Sequence, residues 1–401
     1  MTDYIQRGTK QFWRAVAAIF TGSIAAMGAE YCVQPIIPII AQDFNLTPSV
    51  ASLVVSCGTG GMAIAMIFIA ALANMLDRKW TMSIALAVSA ILVVLMAMST
   101  NFYLILVLRL LQGLFLAAFP ALVIAYISEE FSLTIIGLVT GIYISGNSIG
   151  GLLGRVTLST LTDLYSWRIG LGAIGVLYLI ISVCFYFALP KSKQYTRSRH
   201  FSLNIIKLLL ETLHNKKLVT IYIIGFFVGG GFIVMYNYIA FPLMGPPYNL
   251  SQTAIGALFA VYLIGTFSSP FMGGMSDKYG SGKILIVSIC IMWVGAVITL
   301  LPTLIAKIAG LSVFTFGYFG ASPIACSWAS KCCTTDKAQG SALYYLFFYG
   351  GFSVVGTIGG IFLSAYNWPG VILLISIVLG VSLLLSTKLL NSADFLQKAK
   401  G

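Results

Sequence analysis

Long apolar stretches separated by short polar gaps fill the chain from about residue 14 to residue 388. A helix needs about 20 mostly apolar residues to cross a bilayer, and twelve stretches reach that length. Capping signals mark several of their ends, as at Thr47-Pro48, Ser251 and Pro190. The pattern predicts an all-α, polytopic membrane protein with spans at about 14–40, 48–75, 80–99, 103–127, 133–160, 168–189, 218–243, 252–274, 282–301, 305–329, 338–364 and 369–388.

The composition indicates that lipid is the solvent for most of the surface. Only 8% of the residues are charged, whereas a soluble domain carries about a quarter. The net charge of +12 could point to nucleic acid, but the basic residues lie in alternate gaps only. Of the 23 lysines and arginines, 19 fall on the side of the two termini, and the other four are Arg109, Arg155, Arg168 and Lys307. This bias predicts cytoplasmic termini, and nucleic acid is not an expected partner.

The sequences on the two sides of a basic polar stretch, residues 190–217, resemble each other. FNLTPSVASL (44–53) parallels YNLSQTAIGAL (248–258), with Asn45 over Asn249, and YSW (165–167) parallels YNW (366–368). The spacing predicts two repeated six-helix halves, at 1–189 and 218–401, joined by a cytoplasmic linker at 190–217 that carries an amphipathic surface helix. A regulatory or lipid-binding role for the linker is the alternative. Such duplication is typical of transporters whose binding site lies between the halves.

The loop after the second span of each half carries a recurring pattern of glycine, acid and base. In the second half the pattern consists of Gly273, Asp277, Lys278, Gly280 and Lys283. In the first half Arg78 and Lys79 remain, and Asp77 stands where a glycine is usual. The pattern resembles the loop motif of the major facilitator superfamily. This resemblance implies two six-helix halves and a role for these residues in closing a cytoplasmic gate.

Motifs in the fourth and fifth spans resemble those of particular branches of this superfamily. Arg109-x-x-Gln112-Gly113 resembles the fourth-helix signature of drug/proton antiporters, and residues 137–155 resemble their glycine-rich fifth-helix motif, with Asn147 in place of a proline. YCVQPI, YISGNSIGG, WRIGLGAIG and YLIGTFSSP together resemble the YnfM-like, arabinose-efflux-type permeases. This resemblance implies a bacterial inner (plasma) membrane protein.

Small residues recur on the fifth span, and they predict close helix packing. The candidates are Gly141, Gly146, Gly150 and Gly151. Two interpretations stay open for this stripe. It is either a surface on which the two halves slide or a static contact between helices.

Glu30 is the only formal charge between Arg14 and Asp43. A carboxylate at membrane depth costs about 2.5–3.5 kcal/mol on insertion scales, so it should face a cavity or a partner. Arg109 lies at a compatible depth on the fourth span and resembles the proton-relay arginine of the family. The pair is predicted to form an ion pair or to share an aqueous pocket, and a purely structural salt bridge is the alternative. In the functional interpretation, a proton from outside and a cationic substrate from inside compete for Glu30, which gives antiport.

Polar and aromatic residues within the spans are candidates for the lining of a substrate cavity. They are Tyr31, Gln34, Gln112, Tyr143, Asn147, Tyr236, Asn237, Tyr238, Trp328, Tyr344 and Tyr345. MYNY (235–238) is the best cluster because it sets an amide among aromatic rings. The predicted function is export of a small amphipathic or cationic molecule by a proton-coupled monomer without cofactor or metal. Proton-coupled uptake on the same fold is the alternative, and a membrane enzyme or sensor is disfavoured because nucleotide-binding loops and nucleophile motifs are absent from the sequence.

Overall fold

A computed structural model describes residues 4–72, 75–192, 214–332 and 337–398. These residues form helices joined by short turns, as the hydropathy pattern predicts. The predicted amphipathic helix of the linker falls almost entirely outside the described residues.

The helices of the first part of the chain follow the predicted spans closely, although some spans contain a break. Span 1 is divided by a short 3-10 turn at Gln34–Ile36, and span 4 is divided at Ala117. The helices are α1 Lys10–Tyr31, α2 Ile37–Asp43, α3 Pro48–Leu72, α4 Arg78–Met98, α5 Phe102–Leu116, α6 Ala118–Glu130, α7 Ile136–Leu164 and α8 Trp167–Ala188.

The second part of the chain shows the same kind of interruption. A 3-10 turn at Phe259–Leu263 divides the eighth span, as the turn after α1 divides the first. The helices are α9 Lys216–Tyr238, α10 Ala240–Met244, α11 Gln252–Leu258, α12 Ile264–Tyr279, α13 Ser281–Ile298, α14 Leu304–Cys332 and α15 Lys337–Lys398.

The number of spans agrees with the prediction because the longest helical stretch consists of two helices. Within the described residues, 11 helical stretches are long and apolar enough to cross a membrane. The longest stretch, Leu343–Asn391, contains non-helical backbone at Tyr366 and Asn367. Because Asn367 has a φ of 52°, the chain turns there, and the stretch consists of two helices. Its two parts supply the last two of the twelve predicted spans.

The repeat that the sequence predicts recurs in the backbone. Asn45 and Asn249 both adopt a left-handed conformation, with φ values of 51° and 47°. Asparagine tolerates this conformation better than most residues do. Thr47 and Ser251, two residues later in each copy, accept hydrogen bonds at the N-termini of α3 and α11. The two predicted caps are therefore confirmed.

The described residues group into two compact units. The first comprises the described residues within 1–36, 57–205 and 251–259, and the second comprises those within 37–56, 206–250 and 260–401. The first nine residues of α3 thus belong to the second unit, whereas α11 belongs to the first. The predicted halves at 1–189 and 218–401 stay a prediction.

Glycines determine how closely α1 and α7 approach within the first unit. A Cβ at Gly146 would lie 2.9 Å from the carbonyl oxygen of Phe20, and a Cβ at Gly150 would lie 2.5 Å from the Cα of Ile24. A Cβ at Gly154 would likewise lie 2.7 Å from the Cα of Gly28. The backbones can therefore touch along about two turns. Because α1 belongs to the same unit, this contact is packing inside that unit and not a surface on which two halves slide.

Two members of the predicted stripe do not take part in this contact. A Cβ at Gly141 would meet no atom of the described residues within 4 Å, so its predicted packing role is wrong. Gly151 faces its own helix, where its carbonyl oxygen accepts a hydrogen bond from Arg155 at 2.7 Å. Spacing along the sequence could not separate these positions, because both faces of α7 are rich in small residues.

Gly150→Ala should lower the thermal stability of the purified protein, because the added methyl group collides with the backbone of α1. Overpacking of this kind costs about 1–3 kcal/mol. Gly141→Ala is the matched control, and it should be neutral or stabilising by up to about 1 kcal/mol, since alanine favours the helix. Equal melting temperatures for the two variants would contradict the close α1–α7 contact.

In the second unit, small residues bring α9 and the first nine residues of α3 against α15. A Cβ at Gly360 would overlap the backbone of Ser49, and one at Gly359 would lie 2.5 Å from the ring of Tyr238. The Ser49 hydroxyl donates to the carbonyl oxygen of Thr357 at 2.9 Å. Hydroxyl groups rather than charges therefore join these helices.

The residues ahead of α1 are fastened to the turn after α6. The Ile5 amide donates to the carbonyl oxygen of Glu130 at 2.8 Å, and the Ser132 amide donates to that of Ile5 at 3.3 Å. The Ile5 side chain is only 3% exposed. Thr9 then caps α1 by accepting from the Phe12 amide at 3.1 Å.

Candidate functional site

Glu30 lies one residue before the end of α1 and is completely buried. It faces α3 at Gly58, where a Cβ would come within 2.7 Å of the carboxylate oxygen Oε1. A Cβ at Gly113 of α5 would overlap the carbonyl oxygen of Gly58, so these two glycines allow α3 and α5 to meet. The glycines thus leave room for an acidic side chain between three helices.

Arg109 of α5 is the cation that faces this acid. Its Nη2 lies 3.7 Å from Glu30 Oε1, and both side chains have no exposed surface. The same Nη2 donates to the backbone carbonyl oxygen of Glu30 at 2.6 Å. The structure therefore brings the two predicted proton-coupling residues together as a buried ion pair.

Gln112, one turn after Arg109, contacts α1 again and ties this pair to one further helix, α4. Its Oε1 accepts from Arg109 Nη1 at 2.6 Å, and its Nε2 donates to the carbonyl oxygen of Ala29 and to the Ser89 hydroxyl, each at 3.1 Å. Gln112 was predicted as a cavity residue, but it is buried inside the first unit and holds the guanidinium in position. Ser89 was not predicted, because a lone serine in a span gives no signal of its own.

The Glu30 carboxylate lacks hydrogen-bond donors, since neither of its oxygens accepts a hydrogen bond from the described residues. A buried charge with an imperfect shell of donors is held by Coulomb attraction and pays a desolvation penalty. Arg109, in comparison, donates to two backbone carbonyl oxygens and to Gln112. The guanidinium would therefore keep these acceptors if the carboxylate took up a proton.

A second buried cation lies at Arg155 of α7, where 2% of the residue is exposed. Its Nε donates to Gln34 Oε1 at 2.9 Å, and its guanidinium lies 4.8 Å from the ring centre of Tyr31 and 5.0 Å from that of Phe259. The predicted cavity residues Tyr31 and Gln34 therefore surround this arginine. From the sequence, Arg155 is only a base in or beside a span. A charged residue within an apolar helix is nevertheless a signal of a functional site.

An acid near the end of α7 contacts the N-terminus of α11. Asp163 accepts from the Gln252 amide at 3.1 Å and from the Thr253 amide at 2.6 Å. The Gln252 side chain donates to the carbonyl oxygen of Pro35 at 3.0 Å and to the Ser159 hydroxyl at 3.3 Å. A carboxylate is stabilised there because the first amides of a helix lack partners. No local sequence pattern indicates this contact, since Asp163 and Gln252 are almost ninety residues apart in the chain.

The predicted MYNY cluster lies at the end of α9, and all of its members are buried. The ring of Tyr236 lies 4.6 Å from that of Tyr262, and its hydroxyl is 2.5 Å from that of Thr315. Tyr238 turns elsewhere and donates to the carbonyl oxygen of Gly356 at 2.7 Å. Asn237 lies between them with no exposed surface. The cluster is thus divided between two different contacts.

An aromatic group forms around Phe232 within the second unit. The ring of Phe232 stacks on that of Tyr318 with centres 3.5 Å apart, and Tyr236, Tyr262 and Phe319 surround the two rings. Phe232 and Tyr318 were not predicted, because aromatic residues are common in spans and their spacing does not identify partners. Ring faces attract cations and apolar groups, and Phe232, Tyr236 and Tyr318 are buried in this conformation.

The other predicted cavity residues lie on α7, α14 and α15. Tyr143 and Asn147 are neighbours on α7 and interact with each other. Tyr344 is buried and donates to the carbonyl oxygen of Ser322, whereas Tyr345 is 41% exposed. Trp328 is half-buried and packs near Gly282.

The first loop motif makes contacts of two kinds. Arg78 is buried and forms a two-point ion pair with Glu129 of α6, at 2.7 and 3.1 Å. Asp77 is exposed and caps α4 by accepting from the Trp80 amide at 2.8 Å. Lys79 lies over the ring of Tyr186 at 4.9 Å. Their gating roles stay predictions.

Asp77→Asn should leave the melting temperature nearly unchanged, because asparagine caps a helix about as well as aspartate does. Asp77→Ala should destabilise the protein by about 0.5–2 kcal/mol, since the Trp80 amide loses its acceptor. Thermal unfolding of the two purified variants checks this ranking. If both variants lose the same stability, the charge of Asp77 matters rather than its cap.

The second loop motif is more exposed. Asp277 lies 4.0 Å from Lys331, and both side chains are more than half exposed. Gly280 has a φ of 93°, which disfavours side chains and ends α12 sharply. Lys278 is exposed beside the ring of Tyr279, and Gly273 is half-buried. The backbone conformation at this position therefore explains why Gly280 is a glycine. Asp277, in contrast, forms only a weak surface contact.

Comparisons with known proteins agree with this arrangement of helices. The family profile described as Major Facilitator Superfamily matches residues 19–332 and 230–400. The chain belongs to this superfamily and is therefore a multi-pass membrane transporter.

Two relatives and one solved structure indicate how far the similarity extends. The chain is 38% identical to the inner membrane transport protein YnfM of Escherichia coli over 390 residues, which is 96% of this chain and 93% of the relative. It is also 38% identical to the MFS-type transporter YybF of Bacillus subtilis over 396 residues, 98% of each chain. A bacterial homolog of the human lysosomal transporter Spinster, in an inward-facing and unoccupied conformation, shares the fold. That match has a TM-score of 0.76, 14% identity, and covers 96% of this chain and 99% of the other.

Proposed function

We propose that this transporter exports a small amphipathic or cationic molecule in exchange for protons, by alternating access of its two halves. The observation that supports the proposal is the buried ion pair of Glu30 and Arg109. An acid at membrane depth is costly to keep unless it is used, so it marks an ion pathway by default. The resemblance of the helix that carries Arg109 to drug/proton antiporters favours export over uptake.

Proton exchange at Glu30 requires a change of conformation. The carboxylate has no exposed surface, so water and substrate reach it only when α1, α3 and α5 part. Arg109 keeps three other acceptors, which lowers the cost of neutralising its partner. Protonation would then release the Glu30 side chain from the Coulomb attraction of Arg109, so that only the hydrogen bonds from Arg109 to the backbone of α1 remain. This release gives a physical link between proton uptake and helix movement.

The aromatic group around Phe232 is the proposed wall for the apolar part of the substrate. Tyrosine and phenylalanine rings attract cations through their faces, with about 0.5–2 kcal/mol for each contact. Ring faces of this kind favour an organic cation that also carries apolar groups. The transporter is proposed to act as a monomer in the bacterial inner membrane with both termini in the cytoplasm, in agreement with its basic loops.

Transport into inverted membrane vesicles tests the function. Vesicles with an acidic lumen are offered a panel of fluorescent organic cations, organic anions and neutral metabolites, and uptake is followed before and after the pH gradient is collapsed. We expect at least one cation to accumulate in the lumen only while the gradient exists. Movement of a substrate in the same direction as the protons would overturn antiport in favour of symport.

A further inference from the structure

A small polar pocket lies at the end of the first unit where α4 begins and α8 ends. It has a volume of about 160 Å³ and is lined by Asp77, Lys79, Trp80, Tyr186 and Lys191. The transport proposal uses neither Lys191 nor Tyr186. The pocket is therefore a separate feature of the molecule.

Positive charge dominates this pocket. Lys191 and Arg14 both lie close enough to Lys79 to repel its ammonium group. Asp77 is the acid in the wall, and one of its oxygens already accepts from the Trp80 amide. Three cations and one carboxylate leave an excess of positive charge that an anion would relieve.

Aromatic rings form the rim of the pocket. The Trp80 ring lies 5.4 Å from that of Tyr186, and 56% of Trp80 is exposed. Arg14 donates to the carbonyl oxygen of Phe187 at 2.9 Å, which fixes the start of α1 beside the end of α8. Tryptophan and tyrosine are enriched where a membrane meets water, so the pocket is at the depth of lipid headgroups.

An exposed apolar surface continues from the pocket along both helices. On α4, Ile84, Ile91 and Leu95 follow Trp80 at spacings that keep them on one face, and each is about 45% exposed. On α8 the exposed residues are Val176, Ile180, Val183 and Phe187. A ligand that fits this whole surface has an anionic head and apolar chains.

We propose that this pocket binds the phosphate group of an anionic phospholipid, whose acyl chains lie along the exposed faces of α4 and α8. Lys79 and Lys191 contact the phosphate, and Trp80 packs against the start of the chains. A free phosphate ion would use the charges alone and would gain nothing from the apolar faces. A phospholipid satisfies both the charges and the apolar faces, so it is the occupant to which the proposal commits.

Quenching of Trp80 by brominated lipids tests the proposal. The purified full-length protein is reconstituted in vesicles that contain equal fractions of phosphatidylglycerol and phosphatidylcholine, with bromine on the acyl chains of one or the other. The difference in fluorescence between the protein and its Trp80→Phe variant isolates the signal of this tryptophan. We expect brominated phosphatidylglycerol to quench Trp80 more strongly, with a relative affinity that falls about fivefold for each ammonium group removed by Lys79→Gln or Lys191→Gln.

A matched control comes from the sequence repeat. Lys283 belongs to the second copy of the loop motif, three residues after Gly280, and is exposed. Lys283→Gln should leave the lipid preference of Trp80 intact, because this lysine is not part of the pocket. Equal loss of preference in Lys283→Gln and Lys191→Gln would mean a general surface charge effect and would overturn the proposal.

Two further arms separate the lipid from other sources of phosphate. Inorganic phosphate added to vesicles at constant ionic strength should not displace the brominated lipid. If it displaces the lipid, the pocket is a phosphate ion site and the proposal is wrong. Equal quenching by phosphatidylglycerol, phosphatidylcholine and phosphatidylethanolamine would likewise exclude a specific anionic lipid. None of these readouts depends on transport, so they stand whether or not proton antiport is correct.

Discussion

Replacement of Arg109 by glutamine is expected to destabilise the protein by about 3–5 kcal/mol, because it leaves the Glu30 carboxylate buried without its cation. The variant also loses the hydrogen bonds from the guanidinium to the backbone of α1. Thermal unfolding in detergent, compared with the unmodified protein, measures the loss. Arg109→Lys should recover only part of the stability, because an ammonium group cannot donate in the same fork geometry.

The double variant Glu30→Gln/Arg109→Gln shows whether the two charges are coupled. With both charges removed, no unpaired ion is left in the interior, so the double variant should be more stable than Arg109→Gln alone. If the effects of the two substitutions simply add, the Coulomb attraction at 3.7 Å contributes nothing to folding. The pair would then have to be explained by function alone.

Glu30→Gln should abolish accumulation that depends on the pH gradient. One pH unit corresponds to about 1.4 kcal/mol, which supports about tenfold accumulation when one proton is exchanged for one singly charged cation. Glutamine is similar in size to glutamate but cannot take up a proton at neutral pH. The lumen-to-medium ratio should therefore fall to about 1 in inverted vesicles, whereas exchange of labelled for unlabelled substrate without a gradient continues.

Glu129→Gln is the control for this substitution. It removes the acid of another ion pair in the same unit, that with Arg78, which lies at the ends of α4 and α6. We expect this variant to lose stability but to keep its dependence on the pH gradient. Gradient-driven accumulation that survives in Glu30→Gln would show that another group carries the proton.

The sequence predicts the spans and the repeat well, because both depend on local properties. About 20 apolar residues in a row can hardly be anything but a span, and the capping residues Thr47 and Ser251 mark helix starts wherever the helices pack. The left-handed asparagines Asn45 and Asn249 are also local features. Depth along a helix is local too, which is why the sequence alone matches Glu30 with Arg109.

Partners across helices are harder to predict, since in a membrane both the packed face and the lipid face of a helix are apolar. Periodicity therefore could not show that Gly146 packs on α1 while Gly141 does not. The contact of Asp163 with α11 joins residues almost ninety positions apart, and no single sequence contains that pairing. The predicted gate acid Asp77 also acts as a helix cap, which is visible in the sequence only when the start of α4 is known.

The fastening of Ile5 to the turn after α6 has a practical consequence for handling the protein. An affinity tag or fluorescent protein fused ahead of Met1 would begin only a few residues before a backbone pairing with Glu130 and Ser132. A bulky fusion there would pull on the same turn that joins α6 to α7. Purification and imaging should therefore use a fusion at the other end, and a yield that drops only for the amino-terminal fusion would be the first sign of this strain.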